Sequence, residues 1–271
     1  MLKEIAQNKS NTVTKKYLVL LEDTNYKFIF SLFNVFSKKK IFKNFLIIFS
    51  KKSKKEAIQK ILKIFGKNII YFKESFPHRN KEIINILKNN QNTSINLSFP
   101  NRLRKSFLNL FNCGSYNIHP SLIQDNRGCH SIFWSIYNDN DNDNNFGCAL
   151  HELTPYMDQG KIFDQIVIKK KDFFAYQIYD KVHLLRSRIL KRNLQNIKNE
   201  KLKGKTLSLF GRYYNKKDIL KVTNLKFDEK IKVSTLYKII RGTAINDNGF
   251  NIIKNKSTLK IKLNNNLKNF I

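Results

Sequence analysis

Short apolar runs alternating with helix-patterned segments constrain the fold of this chain more than any other feature. Tyr17–Leu21 (YLVLL) and Phe45–Phe49 (FLIIF) read as buried strands, and Asn68–Phe72, Ser94–Ser98 and Ser115–Ile118 continue the series. Between them lie helical patterns. Asn25–Phe36 is apolar and aromatic at helical spacing. Ser53 to Glu56 is a capping box, followed by Ala57, Ile58, Ile61, Leu62 and Phe65 on one helical face, with Gly66 where a C-terminal cap belongs. Asn80–Leu87 forms another helix. Strand and helix in alternation predict an α/β fold, a Rossmann-like, mostly parallel sheet flanked by helices. The loop after the first strand, Glu22 to Asn25, has no glycine, so it is no phosphate-cradling turn.

Farther along, Asp172–Ile197 carries the stripe Phe174, Ile178, Val182, Leu185 and Ile189 of a long packed helix. From Lys205 the pattern changes. Val233–Arg241 reads as a short helix and Phe250–Leu263 as alternating strands. The chain therefore divides into a main domain over 14–200 and a small β-rich C-terminal subdomain over 201–271. Asn138–Asn145 (NDNDNDNN) is a low-complexity loop. Its Asp139, Asp141 and Asp143 imitate a calcium loop, but Asn144 stands where glycine is required and Leu150 where glutamate is.

With 51 Lys and Arg against 20 Asp and Glu, the formal charge is +31, which suits an anionic substrate or nucleic acid. The basic residues are spread along the whole chain, as general solvation would spread them, and not gathered into one RNA-binding patch. Cys113, Cys129 and Cys148 form no CxxC pair, so a zinc site or disulfide framework is not indicated. No apolar run approaches the roughly 20 residues a membrane span needs, and the first residues lack an apolar signal core. The expectation is a soluble, cytoplasmic protein.

The chemistry concentrates in Ser115–Gly128 (SYNIHPSLIQDNRG). Asn117 and His119 are two apart, so on an extended strand they leave from one face. Pro120 then ends the strand, because it cannot donate to a ladder. An amide and an imidazole thus sit side by side at a strand's carboxyl end, where open α/β sheets bind ligands. Asparagine offers a donor for a developing oxyanion, and histidine carries a proton near neutral pH. A second stretch, GCALHE over 147–152 and MDQGKI over 157–162, supplies a carboxylate.

Together these blocks resemble the folate-dependent formyltransferases, whose pattern is N-x-H-P-S-L, a nearby R-G and a later H-x(6)-D-x-G. The matching residues are Asn117, His119, Pro120, Ser121, Leu122, Arg127, Gly128, His151, Asp158 and Gly160. Arg127 to Ile136 (RGCHSIFWSI) is similar to the RG…FWAI run of the nucleotide-sugar N-formyltransferases, and Gly211 to Asp218 (GRYYNKKD) to the segment after their catalytic domain. The resemblance is specific over Phe99–Ile168. Ser121 to Arg127 departs from the family's SLLPxYRG in lacking its proline and tyrosine.

The resemblance implies transfer of a formyl group from N10-formyl-tetrahydrofolate to the amine of a nucleotide-linked amino-deoxy sugar. A dTDP-4-amino-4,6-dideoxy sugar for surface polysaccharide such as O-antigen is the substrate it favours. It implies Asn117 as oxyanion donor, His119 as proton carrier, Asp158 as the group that tunes His119, and His151 ordering the loop that bears Asp158. Arg102, Leu103, Asp158 and Gly160 are the implied folate contacts. Arg127, Gly128, Tyr213 and Tyr214 are the implied substrate contacts, and no metal is required. The tail is much shorter than the C-terminal barrel of methionyl-tRNA formyltransferases, which favours a sugar nucleotide over nucleic acid as partner. A tRNA-directed enzyme and a non-catalytic folate or nucleotide binder stay open as alternatives, as does homodimerisation.

Overall fold

The computed structural model describes residues 15–21, 45–65, 69–97, 99, 101–138, 145–169, 173–244, 249–255 and 257–262. The segment Asn25–Phe36, the Glu22–Asn25 loop, Gly66 and the Asp139–Asn144 insert lie outside them.

Among the described residues the central sheet has seven strands in the order β3-β2-β1-β4-β5-β7-β8. β1 (Lys15–Leu21), β2 (Phe45–Phe49), β3 (Ile69–Lys73), β4 (Gln91–Leu97) and β5 (Ser115–His119) run parallel. β7 (Asn145–Glu152) and β8 (Ile162–Lys169) close the sheet antiparallel. The expected mostly parallel, Rossmann-like sheet is present.

A parallel strand is buried on both faces, which is why FLIIF is apolar without a break. Ile47 and Phe49 enter one core, with Ile58 and Ile61 of α1 (Lys55–Phe65) and the stripe Ile178, Val182, Leu185 and Ile189 of α5 (Ala175–Lys198). Leu46 and Ile48 enter the other, with Ile83 and Leu87 of α2 (Lys81–Lys88) and Phe107 and Leu108 of the single-turn α3 (Lys105–Leu108). Asn80 caps α2, its Oδ1 accepting from the N–H groups of Glu82 and Ile83 at 3.0 and 3.2 Å. At α5 the Gln177 side chain accepts from the Phe174 N–H, and the helix starts three residues later than its periodicity predicts.

Strand β4 begins earlier than expected, because its first half is polar. Asn92, Thr93 and Ser94 are buried, and each makes side-chain hydrogen bonds there, although the Asn92 Oδ1 is left without a partner. Asn92 donates to the carbonyls of Leu87, Asn90 and Leu110, Thr93 donates to Cys113, and Ser94 shares a 2.7 Å bond with Ser115.

Beyond α5 the chain returns to the main domain. β9 (Arg212–Tyr214) pairs in parallel with the three-residue β6 (Asn126–Gly128). α6 (Asp218–Thr223) follows, and then a three-stranded sheet of β10 (Asn224–Lys226), β11 (Phe250–Lys254) and β12 (Ser257–Ile261). α7 (Val233–Thr243) lies against α4 (Ser131–Tyr137) so closely that a Cβ on Gly242 would meet the Phe133 ring at 2.6 Å. Arg241 donates to the Phe173 carbonyl at 2.9 Å. No helix among the described residues is long and apolar enough to cross a membrane.

Candidate active site

Asn117 and His119 lie at the end of β5, and the antiparallel register sets His151 of β7 directly opposite Asn117. Cross-strand partners project to the same face, and here Asn117 Nδ2 stands 2.9 Å from His151 Nε2. After β7 the chain loops out and returns, with the Glu152 N–H donating to the Lys161 carbonyl at 2.8 Å. Gly160 makes that return possible, since a Cβ there would lie 2.1 Å from the Glu152 oxygen.

The loop carries Asp158 into the cluster in a left-handed conformation, φ 51°, which aspartate tolerates better than most residues. Both carboxylate oxygens are engaged. Oδ1 accepts from Asn117 Nδ2 at 3.1 Å and lies 3.3 Å from His151 Nε2. Oδ2 accepts from the Gly128 N–H at 2.9 Å and lies 3.5 Å from His119 Nδ1. Gly128 takes φ 88°, and a Cβ would collide with the Tyr214 carbonyl at 2.2 Å, so glycine alone brings that N–H to the carboxylate.

Asn117, His119, His151 and Asp158 are all buried. Burial works to raise the Asp158 carboxyl, but His119, His151 and the Gly128 N–H outweigh it and hold it well below the usual carboxylate range. Burial pushes the His119 imidazole down from its ordinary value, and Asp158 pulls it back without cancelling the effect. His119 Nε2 is buried with no hydrogen-bond partner. A buried polar atom left open in this way calls for an explanation, and a bound reactant would supply the missing partner.

The remaining expected contacts fall into two groups. Gly128 and Gly160 are in the cluster, and Arg127 borders it. Arg127 donates through Nε to the Gly211 carbonyl at 2.7 Å and through Nη1 to the Met157 carbonyl at 3.3 Å. It thus ties the Asp158 loop to the turn before β9. Tyr213 is 42% exposed, its ring 6.0 Å from the Arg127 guanidinium. Tyr214 is 4% exposed and stacks on Trp134 at 3.8 Å, its hydroxyl accepting from Asn138 at 2.7 Å. Arg102 is exposed and donates to the Pro155 carbonyl at 3.1 Å, so the 101–104 loop abuts the Asp158 loop. The Leu103 side chain points into the second core beside Phe99 and Phe107.

Two participants escaped the sequence reading. The Gly128 N–H is a backbone donor and has no signature beyond the glycine itself. Arg186, wholly buried on α5, was hidden in a stripe that reads as core. Its Nη1 donates to His183 Nδ1 at 3.2 Å, and burial with the Arg186 charge drives His183 down to about 2. The Cys129 thiol is pushed up by burial and by the Asp158 charge, which disfavours a nucleophilic thiolate. Among the described residues no cluster of three His, Cys, Asp or Glu side chains is arranged to hold a metal ion.

The chain shares its fold with solved sugar N-formyltransferases. Similar solved structures are a sugar N-formyltransferase from Shewanella sp FDAARGOS_354 and a 4-N formyltransferase from Francisella tularensis. The first has a TM-score of 0.74 at 19% identity, covering 92% of this chain and 97% of that one. The second has 0.69 at 16%, covering 92% and 96%. An N-formyltransferase from Helicobacter canadensis, solved with folinic acid and dTDP-3-aminofucose, has 0.61 at 18%, covering 90% and 85%. In sequence, the chain is 31% identical over 102 residues to the bifunctional polymyxin resistance protein ArnA of Wigglesworthia glossinidia brevipalpis. The match spans 37% of this chain and 15% of that protein. No protein-family model matches the chain.

Proposed function

We propose that this protein is a cytoplasmic, folate-dependent N-formyltransferase acting on the amine of a nucleotide-linked amino-deoxy sugar. One observation carries the reading: Asn117, His119 and Asp158 converge in one buried cluster whose single open nitrogen is His119 Nε2. The fold shared with the Shewanella enzyme along nearly the whole of both chains supports it. So does the Helicobacter protein, which binds folinic acid and dTDP-3-aminofucose.

N10-formyl-tetrahydrofolate supplies an activated formyl carbon. A C–N bond forms between that carbon and the sugar amine, the bond to N10 breaks, and one proton passes from amine to N10, with no change of oxidation state. His119 Nε2 is the proton's carrier. With Nδ1 turned to Asp158 and the ring neutral at rest, Nε2 presents a lone pair to the attacking amine. Once protonated, it presents an N–H to the developing oxyanion before passing the proton on. Asp158 steadies the imidazolium that this creates.

Arg102 and the backbone beside Leu103, Asp158 and Gly160 border the position assigned to the folate. Tyr213, exposed beside Arg127 and Gly128, is the residue we assign to the nucleotide, and Tyr214 we assign to packing. Catalysis resides in residues 14–200, with 201–271 as an appended unit that reaches the site through β9. A dTDP-4-amino-4,6-dideoxy sugar destined for surface polysaccharide is the substrate we favour.

The test is a mass-spectrometric assay offering formyl-tetrahydrofolate with dTDP-amino sugars, UDP-amino sugars and methionyl-tRNA in parallel. Formylation of a sugar nucleotide is expected. Formylation of tRNA alone overturns the substrate class.

A further inference from the structure

Arg127 stands between two segments that border the site, and its guanidinium is committed to both. Nε donates to the Gly211 carbonyl at 2.7 Å and Nη1 to the Met157 carbonyl at 3.3 Å. The Phe210 and Tyr213 ring centroids lie 5.6 and 6.0 Å from its central carbon. A guanidinium has two edges that grip an oxyanion with paired bonds, Nε with Nη2 and Nη1 with Nη2. Here one nitrogen of each edge is already spent on a backbone oxygen. A paired grip on a substrate phosphate would require Arg127 to give up one of these bonds.

The Met157 carbonyl belongs to the planar peptide that joins Met157 to Asp158. By holding it, Arg127 fixes the plane from which Asp158 turns into its left-handed φ of 51°. A non-glycine residue keeps such a conformation only where its surroundings hold it. The Asp158 carboxylate is held in turn by the N–H of Gly128, the residue next to Arg127, at 2.9 Å. One dipeptide thus grips Asp158 by its backbone and by its side chain.

We propose that Arg127 is a positioning residue for Asp158 and not a contact of the nucleotide sugar. Its work is to keep Oδ2 beside His119 Nδ1, 3.5 Å away. The consequence for catalysis rests on the formyl-transfer reading. The same guanidinium is bonded to Gly211, two residues before Tyr213, so the nucleotide side and the Asp158 carboxylate share one anchor.

The first test needs no substrate. Glycine labelled with 15N and arginine with carbonyl 13C select the two Arg-Gly pairs of the chain, those of Gly128 and Gly242. Gly242 lies in α7 and reports on the fold away from the site. In Arg127→Lys the ammonium keeps the charge but lacks the planar fork that spans both carbonyls. The Gly128 amide, loosened from the carboxylate, is expected to exchange with solvent about tenfold faster, with Gly242 unchanged. Unchanged exchange at Gly128 overturns the proposal. Equal acceleration of both amides would mean that Arg127 only supports the fold, and overturns it as well. Arg127→Gln, with a donor for one carbonyl alone, is the second variant and is read in the same way.

Kinetics give the second arm. Arg127→Lys is expected to lower kcat about 100-fold, with KM for the nucleotide sugar unchanged. Burial, then His151 and Arg186, lower the His119 imidazole, and Asp158 is the charged neighbour that raises it. A slackened Asp158 should therefore move the acidic limb of the pH–rate profile to lower pH. A raised KM with kcat unchanged and the limb unmoved would make Arg127 a substrate contact and overturn the proposal. A wild-type protein inactive on every amine would instead overturn the formyl-transfer reading. The exchange rates would then still decide what Arg127 holds.

Discussion

On Asp158 four groups converge: Asn117, His119, His151 and the Gly128 N–H. The carboxylate is therefore ionised throughout the working pH range, and its main effect is on His119. Burial lowers the His119 pKa and Asp158 opposes that, so kcat/KM is expected to fall as pH drops through a value below the ordinary histidine range. Asp158→Asn removes the opposing charge. Its acidic limb should move to still lower pH, while kcat at pH 7 drops by about two to three orders of magnitude. A pH–rate profile checks both, and an unmoved limb would contradict the coupling.

At this scale much was legible. The i, i+2 spacing of Asn117 and His119 requires a shared face on a strand, and the later H-x(6)-D-x-G places the carboxylate. The Gly128 contact was not legible, because it is made by a backbone N–H, which leaves no trace in side-chain identity.

Among the elements, the three-residue pair β6 and β9 has an influence out of proportion to its length. It brings Gly128 to Asp158, and through Arg127 it fastens the Asp158 loop to the Gly211 turn. Strands of three residues show no periodicity, so their pairing across more than eighty residues could not be read in advance. The polar half of β4 was hidden for a related reason, since buried Asn, Thr and Ser look like a loop until their partners are known. FLIIF, apolar on both faces, was read correctly.

The tandem tyrosines of β9 separate two functions that the sequence left joined. Tyr214→Ala removes a ring stacked on Trp134 and should destabilise the protein by about 3–5 kcal/mol, seen as a lowered Tm. Tyr213→Ala should leave Tm nearly unchanged and raise KM for the sugar nucleotide. A large stability loss from Tyr213→Ala with no change in KM would reverse the assignment.

Across the whole molecule, alternating strands and helices foretold the parallel sheet, while the antiparallel turn at β7 and β8 could not be foreseen. Strand direction is set by connections, and one of those runs through the low-complexity insert. The same core imposes an acid sensitivity. Burial first, and then the Arg186 charge, lower His183 to about 2. A histidine depressed in the fold contributes stability above its unfolded pKa and loses it as pH falls below that value. Below about pH 6.5 the fold should lose about 1.4 kcal/mol per pH unit through this group. His183→Gln should flatten the fall of Tm between pH 6.5 and 4.5. An equal slope in the variant would show that His183 does not titrate on unfolding.

The most direct test of the central claim follows the formyl carbon itself. The full chain would be incubated with 13C-formyl-labelled tetrahydrofolate and a dTDP-4-amino-4,6-dideoxy sugar, and the label followed by carbon NMR. The cluster at His119 predicts that the label moves to a formamide on the sugar with the wild type and stays on the folate with His119→Ala. A label that moves equally fast in both proteins would contradict the role given to His119. A label that never leaves the folate, with both ligands bound, would contradict formyl transfer to this sugar amine.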